Sequence, residues 1–378
     1  MRITIRHPSA RRMMVAIAVA ALVAMPGSVA AQVTGFGPVA FDIDAAPDGS
    51  ILVASADGTI YAVRDDTVQP VASVPVPATS PVPTTLNGIA SIGRGNYFAT
   101  TGGGDLAAGA KLWRVAPGGA RMVADIEAFE IAHDPDADVW KDPGCEAVPP
   151  FSAGPQSNPY HLAALSGGTA LVADAAGNTL LAASTNGRIE VVATFTPPVV
   201  GGGASDEPAD WMVLFPLDED TDCYVQPVPT SVAIGPDGAY YVGELTGVTR
   251  DLADAPGLSR VWRIAPGARN VVCPSTACQP VVSGLTSVID VEFGPDGLLY
   301  VVEYDVDGWL SALIELGSED PPPIFEGAIK ACDLGSGACE PVESDLVLPG
   351  AITFDKRGTL WLLEGNIIGP VLRTVDWP

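Results

Sequence analysis

Asp42, His161, Ser231 and Asp290 occupy one place in a repeat: each lies seven residues before a glycine, in a series completed by Gly88 and Ala351. The glycines are Gly49, Gly95, Gly168, Gly238, Gly297 and Gly358. Six residues after them stand Ser55, Thr101, Asp174, Glu244, Glu303 and Glu364. Asp42 and Asp290, with Glu244, Glu303 and Glu364, can offer oxygens to a hard cation such as calcium, which takes about six to eight. A carboxylate near His161 would make its imidazole a general base. Ser231 would then be a conceivable nucleophile, and Asn158 and Asn87 further polar groups. A structural reading competes with each of these. An acid that ends a strand can accept backbone N–H bonds from the next turn, and Asp174 and Asn178 have that spacing. A buried histidine can simply be hydrogen-bonded. The structural role is favoured for the acid ring and for His161. For Asp42 and Asp290 the two readings are level, because an acid on an innermost strand needs a partner once buried. No P-loop, dinucleotide fingerprint, Gly-x-Ser-x-Gly or His-Glu-x-x-His occurs.

The elements that must position these residues follow from the same glycines. Six positions before each lies an aliphatic residue (Ile43, Ile89, Leu162, Val232, Val291, Ile352), and three after it a large apolar one (Leu52, Phe98, Leu171, Tyr241, Tyr300, Trp361). Strand, glycine turn and strand, repeated, describe an array of small antiparallel sheets. The glycines are 46, 73, 70, 59 and 61 residues apart, more than the roughly 40–45 of a plain four-stranded propeller blade, so most units carry insertions. Third strands are expected at 112–118 and 261–267, with Trp113 and Trp262 packing between sheets, and fourth strands at 121–125 and 280–284. The sixth unit stops one strand short, and residues 32–36 can supply it, which removes the exposed edges. The fold class expected is all-β: one domain over residues 32–378, a six-bladed β-propeller closed by an N-terminal strand in its last blade. The turn glycines then mark one face, and the starts of the first strands and ends of the second strands share the other.

Residues 1–31 read as a signal peptide: Arg2, Arg6, Arg11 and Arg12, an apolar run from Met13 to Met25, then small residues for cleavage near Ala31. Its removal leaves 19 − 4 = 15 Lys and Arg against 45 Asp and Glu, a net charge of 15 − 45 = −30. Such a chain repels nucleic acid and anionic lipid. A secreted or periplasmic location favours disulfides, and all six cysteines follow the leader. Locality suggests Cys273–Cys278 and Cys332–Cys339 as hairpin bridges, leaving Cys145 for Cys223, one of the many connectivities six cysteines allow. Cys145 and Cys223 lie in two insertions, at about 127–156 and 197–227, which their bridge would tie over one face. The run from Asp134 to Asp138 reads as a solvated loop, since it lacks the glycine and distal glutamate of a calcium loop.

Ser157-Asn158-Pro159-Tyr160, Leu171-Val172-Ala173-Asp174 and Gly177-Asn178 are similar to the NHL-type repeat of the ScyD/ScyE family. The stretch from Val228 to Gly247 resembles that family most closely, and Ile289-Asp290 ahead of Phe293-Gly294-Pro295-Asp296-Gly297 is similar as well. The likeness runs from about Phe41 to Leu372. The resemblance implies a secreted six-bladed propeller of NHL/TolB-like type, and it brings no catalytic residues. His161 departs from it, standing where the family pattern has glycine, as do the long second insertion and the two hairpin cysteine pairs. The function expected is a disulfide-braced scaffold, monomeric, with no membrane span, binding a small molecule or a protein on its loop-rich face without a certain cofactor. The alternative is a calcium-dependent hydrolase or lactonase resembling gluconolactonase-like or paraoxonase-like propellers, an analogy of fold. A quinone-dependent sugar dehydrogenase fits poorly, because histidine and arginine are scarce.

Overall fold

In the computed structural model of the chain, residues 32–77, 83–103, 109–137, 155–197, 213–218, 221–247, 254, 256–316 and 324–377 are described, the backbone alone for 213–218 and 221–224. The leader and the Cys145–Cys223 pairing lie outside these residues.

Six antiparallel sheets are laid out in chain order, each starting at an innermost strand. The innermost strands are Ala40–Ala45, Thr84–Gly93, Pro159–Ser166, Pro229–Ile234, Val288–Phe293 and Ala351–Phe354. Each contacts the next, and the sixth contacts the first, so the ring closes. The second strands are Ile51–Ser55, Asn96–Gly103, Thr169–Asp174, Tyr240–Glu244, Leu299–Glu303 and Leu360–Glu364. Pairing follows the turn glycines, as in Ile43↔Val53 and Val291↔Val301. Gly49 and Gly297 hold φ of 91° and 85°, a left-handed turn that a side chain disfavours. The sixth sheet has three strands of its own. Val33 completes it, exchanging backbone hydrogen bonds of 2.8 Å with Leu372 in both directions. The expected N-terminal closure is present.

Buried apolar side chains form six clusters, each drawn from two adjacent blades. Each sheet has apolar residues on both faces and buries them against its neighbours, as the near-continuous apolar second strands require. Trp262 is fully buried between blades 3 and 4, where it meets Phe195. Trp113 packs against the cluster shared by blades 1 and 2 and donates its indole N–H to Thr101 Oγ1 at 3.0 Å.

Both hairpin disulfides are present, Cys273–Cys278 and Cys332–Cys339. The first has a further role. Val271–Cys273 pairs in parallel with Ala193–Phe195, the outer edge of blade 3, and Thr196 Oγ1 donates to Cys273 O at 2.7 Å. Both bridges sit on third-to-fourth-strand hairpins, on the turn-glycine face. The opposite face carries both helices, Ile126–His133 and Trp309–Leu316; the second insertion holds a two-stranded hairpin, Val213–Asp218 with Thr221–Tyr224.

The first insertion is not wholly loop. Asp125 caps its helix by accepting Ala128 N–H at 3.0 Å, an ordinary N-cap. The solvated-loop reading of the run from Asp134 to Asp138 needs correcting at Asp136. This carboxylate is buried and accepts from Asn178 Nδ2 at 2.8 Å, because the helix turns the chain back onto blade 3.

Candidate functional site

The repeat brings Asp42, His161 and Asp290 together on the axis from blades 1, 3 and 5. Strand alternation decides which side chains face it: residues seven and five before the turn glycine point the same way. Asp42 works as a staple between blades. Its Oδ1 accepts Ile43 N–H at 2.8 Å and its Oδ2 accepts Ile89 N–H of blade 2 at 2.7 Å. Asp290 repeats the device, accepting Val291 N–H at 2.9 Å and Ile352 N–H of blade 6 at 2.8 Å. Both carboxylates thus hold the innermost strands in register.

His161, only 3% exposed, crosses the axis to meet them. Nδ1 lies 3.2 Å from Asp290 Oδ1, and Nε2 lies 3.1 Å from Phe41 O and 3.8 Å from Asp42 Oδ1. A backbone carbonyl can only accept, and so can an ionised carboxylate. With Asp290 ionised both ring nitrogens donate, which makes the ring an imidazolium. Burial works against that charge, but Asp42 and the hydrogen bond to Asp290 raise the His161 pKa to about 9. The ring of Tyr160 stacks on the imidazolium, centroids 4.7 Å apart, and the phenol's own ionisation is pushed far up by burial. An imidazolium with both protons engaged has no lone pair with which to take another.

One layer along the same strands lie Asp44 and Glu292, two residues after Asp42 and Asp290. Burial raises the Asp44 carboxyl to about 6, while N–H groups of Ser91 and Ala45 oppose the rise. Burial, then the charges of Asp290, Asp44 and Asp42, hold Glu292 well above the carboxylate range. These two were not singled out by the glycine count. The signal was the acid-x-acid alternation Asp42-Ile43-Asp44 and Asp290-Val291-Glu292.

The remaining expected residues are elsewhere. Glu244 is fully buried in a bidentate pair with Arg260, Nε–Oε2 2.7 Å and Nη2–Oε1 3.1 Å, and the guanidinium lies 4.5 Å over the Trp262 ring. Glu303 pairs with Lys330 at 2.5 Å and accepts Thr286 N–H at 2.7 Å. Glu364 pairs with Arg373 at 2.7 Å and accepts Val347 N–H at 2.8 Å. Asp174 accepts Asn158 N–H at 2.7 Å and Ser157 Oγ at 2.5 Å. Three of these acids thus hold the chain entering their own blade's innermost strand, and the cations come from third strands. The structure does not bring the expected calcium set to one point. Ser231 is fully buried, and its Oγ meets no hydrogen-bond partner among the described residues, so no base stands beside it. Asn158 Oδ1 accepts from Asn87 Nδ2 at 3.1 Å and Gly103 N–H at 3.0 Å, tying blade 2 to blade 3. Glu130, Asp134 and Asp136 place potential ligand oxygens within 4.8 Å of one another. They belong to the helix after blade 2 and the turn that follows it, not to the axis.

No protein-family model matches this chain, and no curated protein sequence matches it. Solved structures do. An oxidoreductase (glucose dehydrogenase) from Thermus thermophilus is 15% identical over 92% of this chain and 100% of its own, with a TM-score of 0.52. A protein of unknown function from Bacteroides thetaiotaomicron is 11% identical over 89% of this chain and 70% of its own, with a TM-score of 0.50. Virginiamycin B lyase from Staphylococcus aureus is 12% identical over 92% and 98%, with a TM-score of 0.46. At such identities the likeness is one of fold, a β-propeller.

Proposed function

We propose that this chain is an extracytoplasmic β-propeller that binds a small molecule or a protein on its loop-bearing face and performs no chemistry at its axis. The observation that carries the reading is the state of His161. The axial imidazole, the group the sequence points to for general-base work, is engaged as a bolt between blades 1, 3 and 5. Glu244, Glu303 and Glu364 are likewise engaged by Arg260, Lys330 and Arg373. Two hairpin disulfides suit an oxidising compartment, and a scaffold of the ScyD/ScyE type agrees with the motifs of blades 3 to 5. No helix among the described residues is long and apolar enough to cross a membrane. We place the mature protein outside the cytoplasm as a monomer, cleaved near Ala31.

The test is calcium calorimetry on the mature chain, with thermal unfolding before and after chelation and a screen of ester and lactone substrates. The reading predicts no stoichiometric heat, no chelator-dependent change in Tm and no turnover. Tight calcium binding with chelator-sensitive hydrolysis that His161→Ala abolishes would replace it with the hydrolase.

A further inference from the structure

The helix Trp309–Leu316 sits on the loop-bearing face between the second and third strands of blade 5. It buries Ala312 and packs Trp309 and Leu316 against the cluster shared by blades 5 and 6. Its other side presents Leu313 and Ile314, the latter 63% exposed. Ile324, 69% exposed, lies beside them, since its N–H donates to Glu315 Oε2 at 3.3 Å. Ile314 and Ile324 are the two most exposed large apolar side chains among the described residues.

The first turn of the helix is tied to the propeller. Asp254 accepts Leu310 N–H at 2.9 Å, Ser311 N–H at 2.7 Å and Ser311 Oγ at 2.7 Å. Trp309 donates its N–H to Ser287 Oγ at 2.9 Å and its indole N–H to Thr246 O at 3.0 Å. A fixed apolar surface loses little entropy on being covered, which favours binding. Exposed apolar groups grouped in this way, with polar residues around them, mark interaction surfaces.

Charge identifies the occupant. From Tyr304 to Ile329 the chain holds six Asp and Glu and no Lys or Arg. Of these, Glu315 on the helix and Asp307 two residues before it are exposed, and Glu326, half-buried, stands two residues after Ile324. A second copy of so acidic a chain, or an anionic membrane, would meet like charge. We propose that the patch docks a basic amphipathic polypeptide segment, with aliphatic side chains against Leu313, Ile314 and Ile324 and lysine or arginine against the acidic rim. This rests on the binding reading above and names its partner class.

The test is fluorescence anisotropy with a labelled leucine–lysine amphipathic peptide, beside a scrambled peptide of identical composition. Each is titrated at physiological salt against wild type and the Ile314→Ser/Ile324→Ser double variant. Both substitutions are on the surface, and an unchanged Tm shows the variant folded. The proposal predicts saturable binding, about tenfold or more weaker for the scrambled peptide and for the double variant, as loss of two buried isoleucines implies. Equal affinity of wild type and variant would mean attraction by net charge alone. That would overturn the site while leaving the binding reading standing. Absence of binding would overturn it too. Self-association in sedimentation velocity that the double variant abolishes would give the patch to a second copy of this chain, against the proposal. Calcium-dependent turnover, tested separately, is what would remove the binding reading itself.

Discussion

Replacing His161 by Gln should expose the energetics of the axial bolt through their dependence on pH. In the native protein the imidazolium is fully buried between Asp290 and the Asp42–Phe41 corner. Its pKa stands at about 9 against an ordinary 6.5. A group that holds its proton more tightly when folded contributes its whole stabilisation below its unfolded value. That contribution is lost as pH rises through the folded value. The gap corresponds to about 3 kcal/mol. Below pH about 6, His161→Gln should therefore cost roughly 3–5 kcal/mol, the usual result of removing one partner of a buried charge pair. As pH rises past about 9, the difference between wild type and variant should shrink by about 3 kcal/mol. Asp44 and Glu292 titrate nearby and are present in both proteins; Asp42, which burial raises to about 7 against the pull of His161, titrates higher without the imidazolium and takes up part of this change, so about 3 kcal/mol is its upper value. The assay is urea unfolding at several pH values, comparing midpoints at constant m. A difference that stays flat from pH about 6 to beyond 9 would show that His161 is neutral in the native state, and would refute the bolt.

Arg260→Ala should destabilise by roughly 3–5 kcal/mol, because it strands the fully buried Glu244. Arg260→Lys should recover little of this, since an ammonium cannot reproduce the bidentate pair, as thermal unfolding of the three proteins would show. The Cys332→Ser/Cys339→Ser variant, which opens a bridge of sequence separation 7, should lose about 2–3 kcal/mol in denaturant unfolding. Asp254→Ala removes the N-terminal partner of Trp309–Leu316. It should cost about 1–2 kcal/mol and speed amide exchange at Leu310 and Ser311. Gly308→Ala should do the same by collision, because a Cβ there meets the Asp254 side chain.

The propeller was legible because its signal is repeated: six glycines set six strand pairs, and the unpaired third strand of the last blade pointed to Val33. The axial meeting of Asp42, His161 and Asp290 was also legible, since equal offsets from a turn put residues of a ring at equal height. Their chemistry was not. Offsets say nothing of which N–H groups a carboxylate meets, and both aspartates turned out to staple neighbouring strands. The acids six residues after the glycines were read in one dimension, whereas their partners Arg260, Lys330 and Arg373 lie on third strands, across the sheet. Both helices escaped notice because each spans eight residues within insertions, too short for periodicity to separate helix from loop.

The account turns on the protonation of His161. Nitrogen-15 NMR of the imidazole in the folded protein at pH about 7.5 measures it directly, below its raised pKa. Both ring nitrogens should carry protons, with shifts unchanged by added calcium. A neutral ring with one unprotonated nitrogen would restore a general base to the axis and contradict the account.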